Sequence, residues 1–322
     1  MEKRMFRGAK RSYIALFLFF LTRYLLLNGF DMRIFKVGQA NFVLLTHKER
    51  ALVVDCGVGS GYGGVLRLPR GTYGEEIALA LAGVTRLGII VTHHHGDHYN
   101  GIQQFKKVID VINTQRRSDR DFELTDLLDM KVGETCNGWE GSREDIVSYV
   151  ACYFRGGDVE IECIRPENFA EAFLSPEVVH DNNLLLLIHY KDVHILLSGD
   201  ANSALLAHHL LHTEGFRQKL VGVNVLLAPH HGSTANGEHV WMDAIFNNDV
   251  EKRRILFVSS DPEQDHHLPK EFFYKKVREL GWRIHRTYLT STAKAVCYRL
   301  SVDDNCSNIA IFEGAKIASS SI

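Results

Sequence analysis

Four histidines and one aspartate stand within six consecutive positions, His93-His94-His95-Gly96-Asp97-His98, between the apolar run "LGIIVT" and the helix-like "NGIQQFKKV". Side chains two apart on an extended segment share a face, so His93 and His95 can reach one cation. Gly96 lets the chain turn sharply, which frees Asp97 and His98 for a second cation. Imidazole and carboxylate ligands suit zinc best, with manganese or iron as alternatives. His94 would point away from both ions. A free histidine tract would lack the strand before this run and the helix after it.

Two ions need more ligands, and later segments offer them. His180 precedes "LLLLIHY", and "HILLSGD" ends at Asp200, whose carboxylate could bridge two ions. "LLAPHHGS" supplies His230 and His231, and "DHHLP" supplies His266 and His267. Any one of these alone would read as an ordinary surface or core residue. Their recurrence at strand ends points to one shared site. "HHLLH" at 208–212 lacks the glutamate of a zincin helix and reads as an exposed face. His47, His189, His194, His239 and His285 read as structural or surface residues. No serine or cysteine sits in a nucleophile motif.

The elements that must hold these groups are short strands separated by turn residues. "MRIFKV", "NFVLLT" and "ALVVDC" form an expected antiparallel meander, followed by a glycine-rich loop over 57–74 that matches no phosphate-binding pattern. "EEIALALAGV" is helical, as are segments from Ala201 to Leu211 and from about Pro269 to Leu280. Strands precede helices in both halves. The expected fold is α+β, an αββα four-layer sandwich. Residues 113–157 have poor periodicity and read as an insertion in a single domain over 32–322.

At 322 residues, 45% hydrophobic and 24% charged, the chain is neither a polytopic membrane protein nor a disordered one. A formal net charge of −2 gives no overall attraction for a polyanion. Nucleic acid would need a local patch, for which Lys106, Lys107, Arg116, Arg117 and Arg120 are the candidates; a solvated face is the plainer reading. Six cysteines without a C-x-x-C pair lean towards scattered thiols in a reducing compartment. Residues 1–31 start basic and continue apolar, but Thr22 and Arg23 break the run short of the ~20 residues that span a bilayer. They read as an extension outside the fold, with a start codon placed too far upstream favoured over an anchor. The expected location is cytoplasmic. Membrane attachment through residues 13–27, or export, is the alternative if 1–31 are kept.

The H-x-H-x-D-H run with a later strand-end Gly-Asp resembles the metallo-β-lactamase superfamily over most of residues 32–300. Within it, "VGQANFVLL", "NNLLLLIHYKDVHILLSGD", "LLAPHHGS" and "HHLPKEFF…LGWRIHRTY" look most like the hydrolase domain of ComEC-like DNA-uptake proteins. Ala40-Asn41 and Asn100-Gly101 depart from the usual Gly-Asp and Gly-Gly of that group. The many membrane helices of an uptake channel are missing, so transport does not carry over.

The resemblance implies the metallo-β-lactamase fold and a binuclear hydrolase. His93, His95 and His180 would hold one ion, and Asp97, His98 and His231 the other, with Asp200 between them. Asp55, in "VVDCG", would support the ligand loop without binding metal. Two divalent ions lower the pKa of a bridging water from about 16 to near 7 and polarise the electrophile. Asp97 would orient the nucleophile. His230 or His267 would donate a proton to the leaving group or bind the oxyanion, with plain support of the ligands as the alternative for His230. The expected substrate is a phosphodiester, as a small molecule or in nucleic acid. A carboxyl ester, lactone, thioester or β-lactam is the second reading, and a non-catalytic, metal-stabilised binding or regulatory protein the third.

Overall fold

The computed structural model describes residues 29–59, 73–93, 95–115, 124–128, 158–164, 183–201, 215–233, 254–260, 268–287, 297–302 and 309–313. The first half contributes β1 (Phe30–Phe35), β2 (Phe42–His47), β3 (Arg50–Cys56), α1 (Tyr73–Ala80) and β4 (Arg86–Ile90). The short α2 (Gly96–Tyr99), the longer α3 (Ile102–Gln115) and β5 (Leu124–Leu128) follow. Then come β6 (Val159–Ile164), β7 (Leu185–Tyr190), β8 (Val193–Leu197), α4 (Phe216–Val221), β9 (Val225–Leu227) and β10 (Ile255–Val258). The last described elements are α5 (Glu271–Glu279), β11 (Arg283–Arg286), β12 (Cys297–Val302) and β13 (Ile309–Glu313).

Two sheets result, ordered β13-β12-β1-β2-β3-β4-β5 and β11-β10-β9-β8-β7-β6. Their strands read as nearly unbroken apolar runs because both faces are covered. Alternation divides the work. Met32, Ile34, Val43, Leu45, Leu52 and Val54 face Leu186, Ile188, Ile195, Leu197, Val225 and Phe257 of the other sheet in one buried cluster. The opposite face of the first sheet, including Phe42, Leu44 and Val53, packs on Ile77 of α1 and Phe105 of α3. Leu187, Leu196 and Leu256 of the second sheet likewise meet Leu220 of α4 and Phe273 and Val277 of α5. The layers are helix, sheet, sheet, helix, which is the αββα sandwich of the metallo-β-lactamase fold. Each fully buried Leu or Phe contributes about 1.5–3 kcal/mol to holding them together.

The meander covers β1 to β3, which pair antiparallel. β4 then joins β3 in parallel, after the crossover through α1. Two boundaries differ from the sequence reading. β1 begins at Phe30 and not at Met32: Phe30 stacks on Tyr190 at 5.4 Å, while Asp31 accepts hydrogen bonds from Arg299 (2.6 Å) and Ser301 (2.5 Å). A charged residue hid this start, since Asp31 is buried through partners far along the chain. Within 113–157, α3 continues to Gln115 and β5 extends the first sheet beside β4, so part of that stretch is sheet edge. Cys56, Cys163 and Cys297 are free thiols inside the fold. Among the described residues no helix is long and apolar enough to cross a membrane. Residues 13–27, the segment from 202 to 211 and the loop from 60 to 72 lie outside the described residues.

Candidate metal centre

β3, β4, β8 and β9 all run towards one end of the sandwich, and their exits carry the polar residues. β4 leads through Val91 and Thr92 into His93, which is buried. The turn then enters α2, whose first residues include Asp97 and the buried His98. β8 runs through Ser198 and Gly199 into the buried Asp200. β9 runs through Ala228 into the tight 3-10 turn Pro229–Gly232, where His230 and His231 take left-handed φ angles of 45° and 55°. That backbone is unfavourable for an L-residue, and it is retained where it aims two consecutive imidazoles.

These exits assemble two groups of ligand atoms that share one residue. His93, His95 and Asp200 form the first; Asp97, His98, Asp200 and His231 form the second, with atoms in each group within 4.8 Å of one another. His98 Nε2 lies 3.1 Å from Asp200 Oδ1, and His231 Nε2 lies 3.2 Å from Asp200 Oδ2 and 3.3 Å from Asp97 Oδ2. His93 Nε2 is 3.8 Å from Asp200 Oδ2. Asp200 is thus the hub. His98 Nε2 and His231 Nε2 are buried and face only carboxylate oxygens of Asp200 and Asp97 among the described residues, as the donor atoms of a cation site would. Imidazole and carboxylate ligands about 2.0–2.2 Å from one ion would span a similar width, so the residues fit a pair of divalent cations.

A layer beneath orients them. Asp55 accepts from the Thr92 backbone N–H (2.7 Å), from Thr92 Oγ1 (2.9 Å) and from His98 Nδ1 (2.7 Å). A carboxylate only accepts, so Nδ1 of His98 carries a hydrogen, and Nε2 is the nitrogen left to bind a cation. Asn183 accepts from the Asp200 backbone N–H (2.8 Å) and donates to Ser198 O (2.7 Å), which pins the Asp200 turn. Asp97 is held by its own carbonyl, which accepts from the Asn41 N–H (3.0 Å). Gly57 completes that contact, because a Cβ there would sit 1.6 Å from Asp97 O. Asn100 clasps Val58 through two bonds of 2.6 and 2.7 Å.

Charge follows from this packing. Burial alone would push His98 and His231 towards the neutral form. Asp55 and Asp200 outweigh it at His98, whose pKa rises well above the ordinary value. Asp200 and Asp97 do the same at His231, raised to about 9. Burial likewise opposes the charged form of Asp200, but the imidazoles of His231 and His98 hold its carboxyl well below the usual range. His95 and His230 go the other way, lowered chiefly by burial.

The structure therefore brings together His93, His95, Asp97, His98, Asp200 and His231, and sets Asp55 under His98 and His230 beside His231. His94, His180, His266 and His267 lie outside the described residues, as do Arg116, Arg117 and Arg120. Lys106 and Lys107 lie on α3. Sequence reasoning missed Thr92, Asn183 and the bonding of Asn41 and Asn100. Thr92 and Asn183 border strands, where a small polar residue is ordinary, and only long-range partners reveal their use.

The sequence profile of the metallo-beta-lactamase superfamily matches residues 35–133. No curated protein matches the chain. Among solved structures, the metallo-beta-lactamase fold protein YhfI from Bacillus subtilis is similar, with 10% identity and a TM-score of 0.44 over 84% of this chain and 100% of that one. A diphosphatase of the PhnP family has 11% identity and a TM-score of 0.36 over 80% of this chain and 94% of its own. A protein of unknown function from Enterococcus faecalis V583 has 12% identity and a TM-score of 0.28, covering 62% of this chain and 49% of that one. The profile match covers β2 to β5 and contains the His93–His98 turn, and the paired sheets around that turn have the αββα layering.

Proposed function

We propose that the protein is a binuclear metal-dependent hydrolase acting on phosphodiester bonds. The observation that carries the reading is Asp200, whose carboxylate belongs to both ligand groups and so can serve two cations at once. Two divalent ions there, zinc being the best match to the donors, would supply a water nucleophile at neutral pH and positive charge for the electrophile. His93, His95 and Asp200 would hold one ion, with His180 added from the sequence pattern. Asp97, His98, Asp200 and His231 would hold the other.

The remaining roles fall to residues whose surroundings differ. Asp97 is the most exposed carboxylate of the cluster, with a side-chain exposure of 31% against 3% for Asp200. It can both bind and accept a hydrogen bond from the attacking water. His230 is half-buried, and its lowered pKa keeps the ring neutral near pH 7. A neutral imidazole N–H is suited to a hydrogen bond to the developing negative oxygen, worth about 10²–10³-fold in rate for comparable donors. His267 is the other candidate from the sequence pattern, for delivering a proton to the leaving group. A phosphodiester is preferred to an ester because a two-ion clamp on the attacking and leaving oxygens matches in-line displacement, and because of the ComEC-like segments.

The test is an assay of protein loaded with zinc or manganese against bis-p-nitrophenyl phosphate, single- and double-stranded DNA, a lactone and nitrocefin. Phosphodiester turnover without ester or lactam cleavage is expected. Lactone or nitrocefin hydrolysis with no phosphodiester turnover would replace the substrate assignment. Two bound ions with no turnover of any substrate would point to a binding protein.

A further inference from the structure

The ligand cluster is shared between the two sheets. His93, His95, Asp97 and His98 follow β4 of the first, whereas Asp200 and His231 follow β8 and β9 of the second. The 3.3 Å between His231 Nε2 and Asp97 Oδ2 therefore depends on how one sheet sits on the other. A buried apolar cluster fills the space between them, and its attraction has no direction. Hydrogen bonds between the sheets, which do have direction, must set the last fraction of an ångström.

The turn from β1 to β2, residues 36–41, makes two such links. Ser259, the first residue after β10, donates its hydroxyl to Asn41 Oδ1. Thr287, the first after β11, donates its hydroxyl to Gly38 O at 3.2 Å and accepts from Gly38 N–H at 3.3 Å. Ser259, Asn41 and Thr287 are each at most 2% exposed, so water does not compete for these bonds. What lies behind the two links differs. Asn41 N–H donates to Asp97 O at 3.0 Å, and Asn41 O accepts from Gly57 N–H at 2.8 Å, beside the point where Gly57 crowds Asp97 O. Gly38 and Thr287 bond to each other and to Val258, and not to the ligand turn, among the described residues. The Asn41 side chain is engaged at one end only, since its Nδ2 is buried without a hydrogen bond. Turning the amide over keeps the link, with Nδ2 then donating to Ser259 Oγ. A half-satisfied buried amide is a weak device for stability, which an apolar residue of similar shape would serve better.

We infer that Ser259 is a positioning residue for Asp97: through Asn41 it carries the placement of the second sheet to the turn that bears this carboxylate. The inference rests on the two-ion reading of the cluster, but metal affinity tests it without turnover. The ion of Asp97, His98 and His231 depends on the link, and the ion of His93 and His95 does not.

The test measures zinc affinity by competition with a chelator, and kcat and KM for bis-p-nitrophenyl phosphate at saturating zinc. Ser259→Ala should weaken one of the two ions by about 10–100-fold, the scale for groups that orient metal ligands, and leave the other within twofold. kcat should fall by a similar factor with little change in KM, because Asp97 orients the nucleophile and does not hold the substrate. Asn41→Ala breaks the same link from its other end and should give the same metal loss. The double variant should be no weaker than either single one, as for two residues that act as one unit. Thr287→Val removes the companion link; it should lower the melting temperature while leaving both ions and kcat unchanged. Unchanged ions or equal weakening of both in Ser259→Ala, additive losses in the double variant, or the same selective loss in Thr287→Val would overturn the positioning role. Selective metal loss in Ser259→Ala, with no phosphodiester turned over by the unaltered protein, would keep the positioning role and remove the phosphodiesterase reading.

Discussion

The two halves of the ligand cluster are built by different means. On the β4 side, four candidate ligands lie within six residues, and a short helix turns two of them inward. None of the described residues of that run has a positive φ. On the β8 and β9 side, Asp200 and His231 come from separate loops, and each depends on an unusual turn: Gly199 has φ +50° and His231 has φ 55°. The first half is a compact sequence motif supported from below by Asp55. The second is a meeting of strand ends, fixed by a glycine and by the Asn183 amide. Dense spacing allows local geometry to do the positioning, whereas dispersed ligands leave that task to the tertiary fold.

Substituting one ligand from each half separates these contributions most strongly. Asp200→Asn keeps the shape of the hub but halves its capacity to bridge, because an amide offers a single acceptor oxygen. Metal content measured by plasma mass spectrometry should fall from about two ions towards none, and hydrolysis should drop by roughly 10⁴-fold or more, the scale on which a metal-activated nucleophile is lost. His93→Ala touches the first ligand group alone, so it should retain about one ion. An Asp200→Asn protein with two ions and full activity would show that the hub is misassigned.

That contrast also explains what the chain discloses before it is folded. The run from His93 to His98 signals a metal turn because its spacing is local, and the apolar strands around it declare two covered sheets. Asp200 and His231 are legible only as strand-end polar residues, and the Gly199 turn that aims Asp200 has no local signature beyond a glycine. Asn183 is harder still. Its amide bonds Ser198 O and the Asp200 N–H, 15 and 17 positions away, and no periodicity encodes such a pairing. Asp31 misleads for a similar reason: it looks like the polar end of a linker, while its partners Arg299 and Ser301 arrive from β12.

Glycine substitutions give the next effect in size. A Cβ at Gly199 would lie 2.3 Å from Asn183 Oδ1 and 2.6 Å from Thr92 Oγ1, and both atoms are locked by hydrogen bonds. Adding that overlap to the left-handed backbone, Gly199→Ala should cost about 3–5 kcal/mol. Thermal unfolding would register the loss together with weaker retention of metal. A Cβ at Gly96, in the densely encoded half, meets nothing within 4 Å. Gly96→Ala in α2 should be neutral or stabilising by up to about 1 kcal/mol. Equal losses at the two positions would contradict the idea that only the dispersed half depends on its turn.

The smallest effect is one of pH on the protein stripped of metal by a chelator. His231, raised to about 9 by Asp200 and Asp97 against the pull of burial, binds a proton more tightly folded than unfolded. Its contribution is therefore complete below the unfolded value near 6.5 and is lost as pH climbs from there to about 9. His98 is shifted in the same direction. The carboxyls of Asp97 and Asp200 are lowered, so their share is present above the ordinary carboxyl range and disappears as pH falls into it. Metal-free protein should thus be most stable between about pH 4 and 6.5. By pH 9 the share of His231 should fall by about 3 kcal/mol, since a tenfold change in proton affinity is worth about 1.36 kcal/mol, and His98 adds to the loss. Metal reverses the sign on the alkaline side, because ligands that have already lost their protons need not release them to the solvent on binding. The gain in melting temperature on adding zinc should therefore grow from pH 6.5 to 9. His231→Gln should flatten the alkaline decline of the stripped protein far more than Gly96→Ala does. A stripped protein whose melting temperature is level from pH 6 to 9 would break the link between the second half's carboxylates and the imidazole they hold.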